Sequence, residues 1–190
     1  MLGISSDEKL INKALVGSQR SWVKLVQRHE REVYNYCLRM TRNSSDAMDL
    51  LQEVFLAVYR NLPSYRGDGQ FRGWLLRITY TRTMDFMRTR MRSPQLVADD
   101  AAEEEMLTYP SPEANNPDHT YQQYDQNYHI HQTLAALPPE QRIVVELKFF
   151  QHLTFEEISQ QTHIPVNTLK SRLYAALQKL KIQLEDRYVM

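Results

Sequence analysis

The chain has 190 residues, 42% of them hydrophobic, with 23 Lys+Arg balanced by 23 Asp+Glu. That length fits one domain or two small ones, and no apolar run reaches the roughly 18 residues needed to span a bilayer. A single cysteine, Cys37, excludes an internal disulfide and any zinc site built on cysteine pairs.

The opening Met-Leu-Gly-Ile-Ser-Ser-Asp-Glu lacks the basic-then-apolar pattern of a secretory signal, so a soluble cytoplasmic protein is expected. The neutrality is a cancellation. Residues 1–92 carry 16 Lys+Arg against 9 Asp+Glu, residues 93–128 carry no base and 8 acids, and residues 129–190 carry 7 bases and 6 acids. A basic block followed by an acidic stretch points to an anion-binding face and a segment able to screen it.

The first block reads as helical throughout. A short helix around Leu10, Ile11, Ala14 and Leu15 is predicted to close at Gly17. Trp22, Leu25, Val26, His29, Val33, Tyr36, Cys37 and Met40 then follow the i, i+3, i+4, i+7 rule. Leu50, Leu51, Val54, Phe55, Val58, Tyr59 and Leu62 do the same until Pro63 stops them. Asp46, Asp49 and Glu53 lie on one face of that helix. They are either acids complementing its positive end, the reading that physics alone favours, or a docking face for a basic partner.

Next comes "RGDGQFRGWLLRITYTRTMDFMRTRMR", residues 66–92, predicted to be helical from Phe71 to about Arg92. It holds arginines at 66, 72, 77, 82, 88, 90 and 92 against two acids, interleaved with Phe71, Trp74, Tyr80 and Phe86. So many arginines cannot share one core, so most must face solvent or a polyanion, where phosphate contacts give salt-dependent affinity. Tyr65, Phe71, Trp74 and Tyr80, near Gly67 and Gly69, can receive unstacked bases. Helical core packing is favoured for Trp74 and Ile78, and both readings stay open for Tyr65 and Phe71. The Arg66-Gly67-Asp68 tripeptide suggests cell adhesion, which the lack of a secretion signal discounts.

Residues 93–128 hold four of the eight prolines and little apolar periodicity, and are expected to be a flexible acidic linker at a domain boundary. Helical segments are predicted beyond it at 129–136, 139–150, 154–161 and 167–184. The expected fold is all-α, with two small helical domains, 1–92 and 129–190, joined by that linker.

"LTFEEISQQTHIPVNTLKSRLYAALQKL" is the clearest functional segment. Thr154 and Glu157 have capping-box spacing, and Phe155 and Ile158 would face inward. A turn through Pro165 leads to a second helix with Leu169, Leu173, Ala176, Leu177 and Leu180 inward. This is the pattern of a helix-turn-helix, whose second member enters the DNA major groove. Asn167, Thr168, Lys170, Ser171, Arg172 and Tyr174 cluster at the outward start of that helix and suit base edges and phosphates. The clustering favours DNA binding over an ordinary helical hairpin.

No catalytic residue, metal site or cofactor is predicted. His129 and His131 at i, i+2 would point apart, and no nucleophile elbow, phosphate loop or zinc-protease helix is present. None of the six histidines has an arginine three positions on, as a tyrosine recombinase would need.

In this order, these segments resemble the extracytoplasmic-function (ECF) type of bacterial RNA polymerase sigma factor in the sigma-70 family. "DLLQEVFLAVYRNLPSYRGDGQFRGWLLRI" is similar to the family's region two, and "LPPEQRIVVELKFFQHLTFEEISQQTHIPVNTLKSRLYAALQKL" to its region four. The resemblance implies that Asp49, Gln52, Glu53 and Phe55 dock on the clamp helices of the largest subunit of core polymerase, the flap being a further contact. Tyr65, Arg66, Phe71, Trp74, Arg77, Thr81, Arg82 and Arg88 would recognise and melt the minus-ten element. A base flipped near the glycine loop would be captured there, its unstacking offset by a shaped pocket. The helix-turn-helix residues named above would read the minus-thirty-five element as duplex. The linker would run through the polymerase's basic interior, and an anti-sigma factor would hold the protein inactive, with tethering at the inner membrane as one form of that control.

Two positions depart from the family pattern. Thr81 stands where an asparagine is usual, and Asn167 where a small glycine is usual. Asparagine tolerates positive φ and can cap a helix, so the turn is expected to survive. A competing expectation is a stand-alone regulator that binds duplex DNA through residues 154–184. It would need neither an acidic docking face nor an aromatic melting loop.

Overall fold

The computed structural model describes residues 7–67, 70–92, 133–134 and 136–188. Among them every regular element is helical, no strand occurs, and the chain divides into two units. No helix among the described residues is long and apolar enough to cross a membrane. Residues 93–132, which include the linker and most of the predicted 129–136 helix, lie outside the described residues.

The first unit contains residues up to Cys37 and those from Ser45 through the fourth helix. Helix α1, Asp7–Leu15, buries Leu10 and Ile11. It ends as its glycine foretells. Gly17 takes φ +93°, its N–H donates to the Ala14 carbonyl at 3.0 Å, and Ser18 N–H donates to the Lys13 carbonyl at 2.9 Å. This pair of bonds satisfies the last carbonyls, and only glycine adopts such a conformation freely. Ser18 then caps α2, Gln19–Thr41, accepting from the Ser21 N–H at 3.3 Å.

Within this unit α2 buries Leu25, Val33, Tyr36 and Cys37 completely. A large apolar side chain so buried stabilises by about 1.5–3 kcal/mol. Helix α3, Ser44–Asn61, packs Ala47, Leu50, Leu51, Val54, Phe55, Ala57 and Val58 inward and gives way at Pro63 to a 3₁₀ turn, Leu62–Ser64. Helix α4, Phe71–Arg92, buries Phe71, Leu75, Leu76, Thr79 and Thr83. The arginines divide as that packing requires. Arg66, Arg77, Arg82 and Arg88 are exposed, whereas Arg72 and Arg90 are half-buried in ion pairs with Glu32 and Asp46.

The second unit groups Leu38–Ser44 with the chain beyond residue 101. Helix α5, Pro139–Val145, continues into a π-helical turn, Glu146–Phe150. The single helix expected over 139–150 is therefore corrected. Gln151 N–H reaches the Glu146 carbonyl five residues back, at 3.0 Å, which widens the last turn. Helices α6, Phe155–Thr162, and α7, Val166–Tyr188, complete the unit. Leu134, Leu137, Ile143, Val144, Val145, Leu147, Leu153, Ile158, Leu169, Leu173 and Ala176 form its core. Leu177, expected inward, is instead 39% exposed, while the adjacent Ala176 takes the buried position.

Two charges are buried here with their partners supplied. Arg142 donates to the carbonyls of Met40 (2.8 Å), Leu134 (3.0 Å) and Leu137 (3.1 Å). Burial, with a smaller push from Arg42, lowers its pKa to about 10, so it stays protonated at neutral pH. Glu146 accepts from Arg39 at 2.6 and 2.8 Å and from the Gln151 amide at 2.9 Å.

Candidate nucleic-acid interface

In the first unit an aromatic trio stands where the 3₁₀ turn and α4 approach each other. The Tyr65 ring lies edge-on to Phe71 at 5.7 Å and tilted against Trp74 at 5.2 Å, and Phe71 lies 5.8 Å from Trp74. Phe71 is 3% exposed and is a packing residue in the free chain, whereas Tyr65 and Trp74 are half-exposed. Arg66 and Gly67 flank them in the open, and Gly67 takes φ +76°. A surface of two reachable rings beside arginines matches the physical demands of binding unstacked bases.

Further along α4, Thr81 is exposed and donates its hydroxyl to the Arg77 carbonyl at 2.9 Å. What remains for a base is an acceptor lone pair and a methyl group. An asparagine amide would offer a donor as well. Arg88 lies 3.4 Å from Asp85 on the same exposed face. The side chain of Arg92 lies outside the described residues.

The α3 acids share one helix face but not one environment. Asp46 is half-buried and paired with Arg90, whereas Asp49, Gln52 and Glu53 are exposed. Beside Gln52 runs an apolar groove of about 650 Å³ lined by Trp22, Val26, Phe55, Leu56 and Tyr59 together with the α1–α2 turn. Trp22 meets Tyr59 edge-on at 5.1 Å and Phe55 at 6.4 Å. Phe55 is mostly buried and forms the groove floor, while Tyr59 is 57% exposed. Sequence reasoning placed Trp22 and Tyr59 among core positions. The signal that could have separated them is Leu56 and Tyr59 standing at i+4 and i+7 from the polar Gln52, on the same helix side.

In the second unit the helix-turn-helix is α6, the turn His163–Pro165, and α7. The capping box is present in full: Thr154 Oγ accepts from the Glu157 N–H at 3.2 Å, and Glu157 accepts from the Thr154 N–H at 2.7 Å. The left-handed residue is His163, at φ 58°, as the C-terminal cap of α6. The turn is present as expected, but Asn167 neither caps it nor takes positive φ: it lies inside α7, which begins at Val166, and His163 makes the left-handed turn.

Asn167, Lys170, Ser171 and Tyr174 are exposed at the start of α7, and Thr168 is half-exposed. Arg172 is half-exposed and held by Glu140 at 2.6 Å. The Phe155 ring carries two ammonium groups, Lys148 at 5.0 Å and Lys170 at 5.8 Å. Lys148, from the π turn, is a cation beside the recognition helix that sequence reasoning missed. Only the fold brings it there. Among the described residues no three His, Cys, Asp or Glu side chains gather as a metal would require, and His129 and His131 lie outside them.

An all-helical chain with a helix-turn-helix in one unit and an arginine-framed aromatic surface in the other defines a two-part DNA-binding protein. Comparison with known proteins makes the class specific. Residues 25–93 match the model of Sigma-70 region 2, and residues 129–180 that of Sigma-70, region 4. The ECF RNA polymerase sigma factor SigW of Bacillus subtilis is 30% identical over 181 residues, covering 94% of this chain and 97% of its own. The ECF RNA polymerase sigma factor SigE of Mycolicibacterium smegmatis is 34% identical over 161 residues, 85% of this chain, which spans only 60% of that longer protein. The sigma factor RpoE from Bartonella quintana, solved in complex with the anti-sigma factor NepR, shares the fold with TM-score 0.61 at 16% identity, covering 87% of this chain and 98% of its own. The chain belongs to the ECF group of sigma-70 family RNA polymerase sigma factors.

Proposed function

We propose that this chain is an alternative sigma factor that binds core RNA polymerase and directs promoter recognition, melting and transcription initiation, without catalysing a reaction itself. The observation that carries the reading is the pairing of an exposed docking helix, with Asp49, Gln52 and Glu53 beside an apolar groove, and a helix-turn-helix on the same chain. A stand-alone regulator has no use for the first.

In this reading the α3 face seats on the polymerase clamp helices. Tyr65 and Trp74 receive the unpaired minus-ten base, with Arg66, Arg77, Arg82 and Arg88 on its backbone and Thr81 at a base edge. The start of α7 reads the minus-thirty-five duplex, where Glu140 competes with DNA for Arg172. Residues 93–128 form an acidic linker between domains 1–92 and 129–190, suited by charge to a basic channel. The RpoE–NepR complex supports control by an anti-sigma factor, and the chain then acts in the cytoplasm, its inhibitor free or membrane-tethered.

Run-off transcription tests the whole. Sigma-free core polymerase is supplied with a genomic fragment library, with and without the protein. Transcripts from a defined promoter set only in its presence are expected. Tight duplex binding by the isolated protein with no new initiation would refute the assignment.

A further inference from the structure

Beneath the aromatic trio lies a connected set of charges that none of the surfaces above uses. His29, on α2, is buried. Its Nε2 lies 3.0 Å from Asp7 Oδ2, and its Nδ1 lies 3.9 Å from Glu32 Oε2. Asp7 opens α1, and its other oxygen accepts from Arg28 at 2.6 Å. Glu32 Oε1 accepts from Nε of Arg72, the second residue of α4, at 2.7 Å and lies 2.5 Å from its Nη2. The Phe71 ring, next in sequence to Arg72, lies 5.3 Å from the His29 imidazole. One chain of contacts therefore runs from α1 through α2 to the ring on which Tyr65 and Trp74 rest.

Stability alone is a poor account of this arrangement. Half-exposed ion pairs add little to folding, and placing an imidazole between two carboxylates gives up solvation. What such a chain supplies is direction. A two-point grip, two guanidinium nitrogens converging on one carboxylate oxygen, restricts the rotation of the first turn of α4, and His29 holds the adjacent ring. The lowered pKa of Glu32 agrees with that geometry.

We infer that Asp7, His29, Glu32 and Arg72 are positioning residues of the minus-ten site: they touch no base but set the seat of Phe71, and with it the angle at which Tyr65 and Trp74 meet an unpaired base. The inference rests on the base-receiving reading given above. It also brings α1 into promoter opening, although the matched region-two segment begins only at residue 25.

The test uses the full-length protein assembled with core polymerase and a forked duplex of a promoter mapped by run-off. The first unpaired minus-ten base is replaced by 2-aminopurine, whose fluorescence is quenched on stacking against an aromatic ring. Glu32→Gln and Arg72→Gln are each expected to lose about tenfold in fork affinity, the scale of a slightly misplaced binding group, together with most of the quench. Holoenzyme assembly should be unchanged, and the exchanged pair, Glu32→Arg with Arg72→Glu, should recover both signals, which a merely structural defect would not. Should Arg72→Gln fail to assemble, Arg72→Lys keeps the charge without the two-point grip and is expected to show a partial loss. Wild-type quench and affinity in these variants would overturn the inference, as would an exchanged pair that assembles yet recovers neither. Silent Tyr65→Ala and Trp74→Ala variants would instead remove the base-receiving reading, and the inference with it.

Discussion

At Glu32 opposing effects act on one carboxylate. Partial burial disfavours its charge. Hydrogen bonds with His29 and Arg72, and the positive charge of both, favour it and win, so the pKa lies below its ordinary value of 4.5. A depressed folded-state pKa contributes stability above the unfolded value, and that contribution drains away as pH falls through the folded one. Glu32→Gln is therefore expected to shrink the difference between urea midpoints measured at about pH 7 and about pH 3, since the variant has no such carboxylate to protonate. An unchanged difference would mean that the Arg72 pair contributes nothing in solution. Single residues were also where sequence reading erred. His163 carries the left-handed turn that a glycine signal would have announced, and Asn167, the residue that looked suited to it, is simply helical.

Whole elements were more legible. The ends of α1 and α3 follow from Gly17 and Pro63, the run of helices from the 3.6-residue spacing, and the capping box located α6. The π turn was not legible. It depends on one carbonyl finding a donor five residues on instead of four, and on a buried Glu146 whose partner Arg39 is 107 residues away in sequence. The apolar groove was hidden for a related reason: periodicity tells which residues are apolar, not which of two apolar faces is covered. Two expectations belong here. Asp49→Lys with Glu53→Lys should weaken binding to core polymerase by tenfold or more in competition with another sigma factor, the order expected when like charges replace complementary ones. Both side chains are exposed, so helix content should be unaltered. In the second unit, Arg142→Met would leave the carbonyls of Met40, Leu134 and Leu137 without their donor. A loss of at least about 2 kcal/mol is expected from chemical denaturation.

For the molecule as a whole, zero net charge says nothing about its affinity for DNA. The basic excess of residues 1–92 and the acidic excess of residues 93–128 are separate on the chain, and the trio of Tyr65, Phe71 and Trp74 lies in the first. The division into two domains was readable from these shifts in composition, and the helical class from periodicity. The apolar groove beside Gln52 was not. Replacing Asp99, Asp100, Glu103, Glu104 and Glu105 by their amides should raise the affinity of the free chain for arbitrary DNA at low salt. The plot of log affinity against log salt should steepen, since every further phosphate neutralised by the basic block releases nearly one more counterion. A slope unchanged from wild type would show that the acidic stretch does not screen the basic block.

In the proposed reading Arg172 meets DNA already occupied. With a carboxylate of its own chain 2.6 Å from Nη2, it can offer its full donor fork to a base or phosphate only by leaving Glu140. The recognition helix thus carries its own decoy. On arbitrary duplex the exchange of one anion for another returns little, and the helix lets go. On a sequence whose edges fit the fork better than a carboxylate does, it stays. Discrimination of this kind comes from weakening the wrong complex rather than strengthening the right one, and it shortens the time lost at the very many sites that are not promoters.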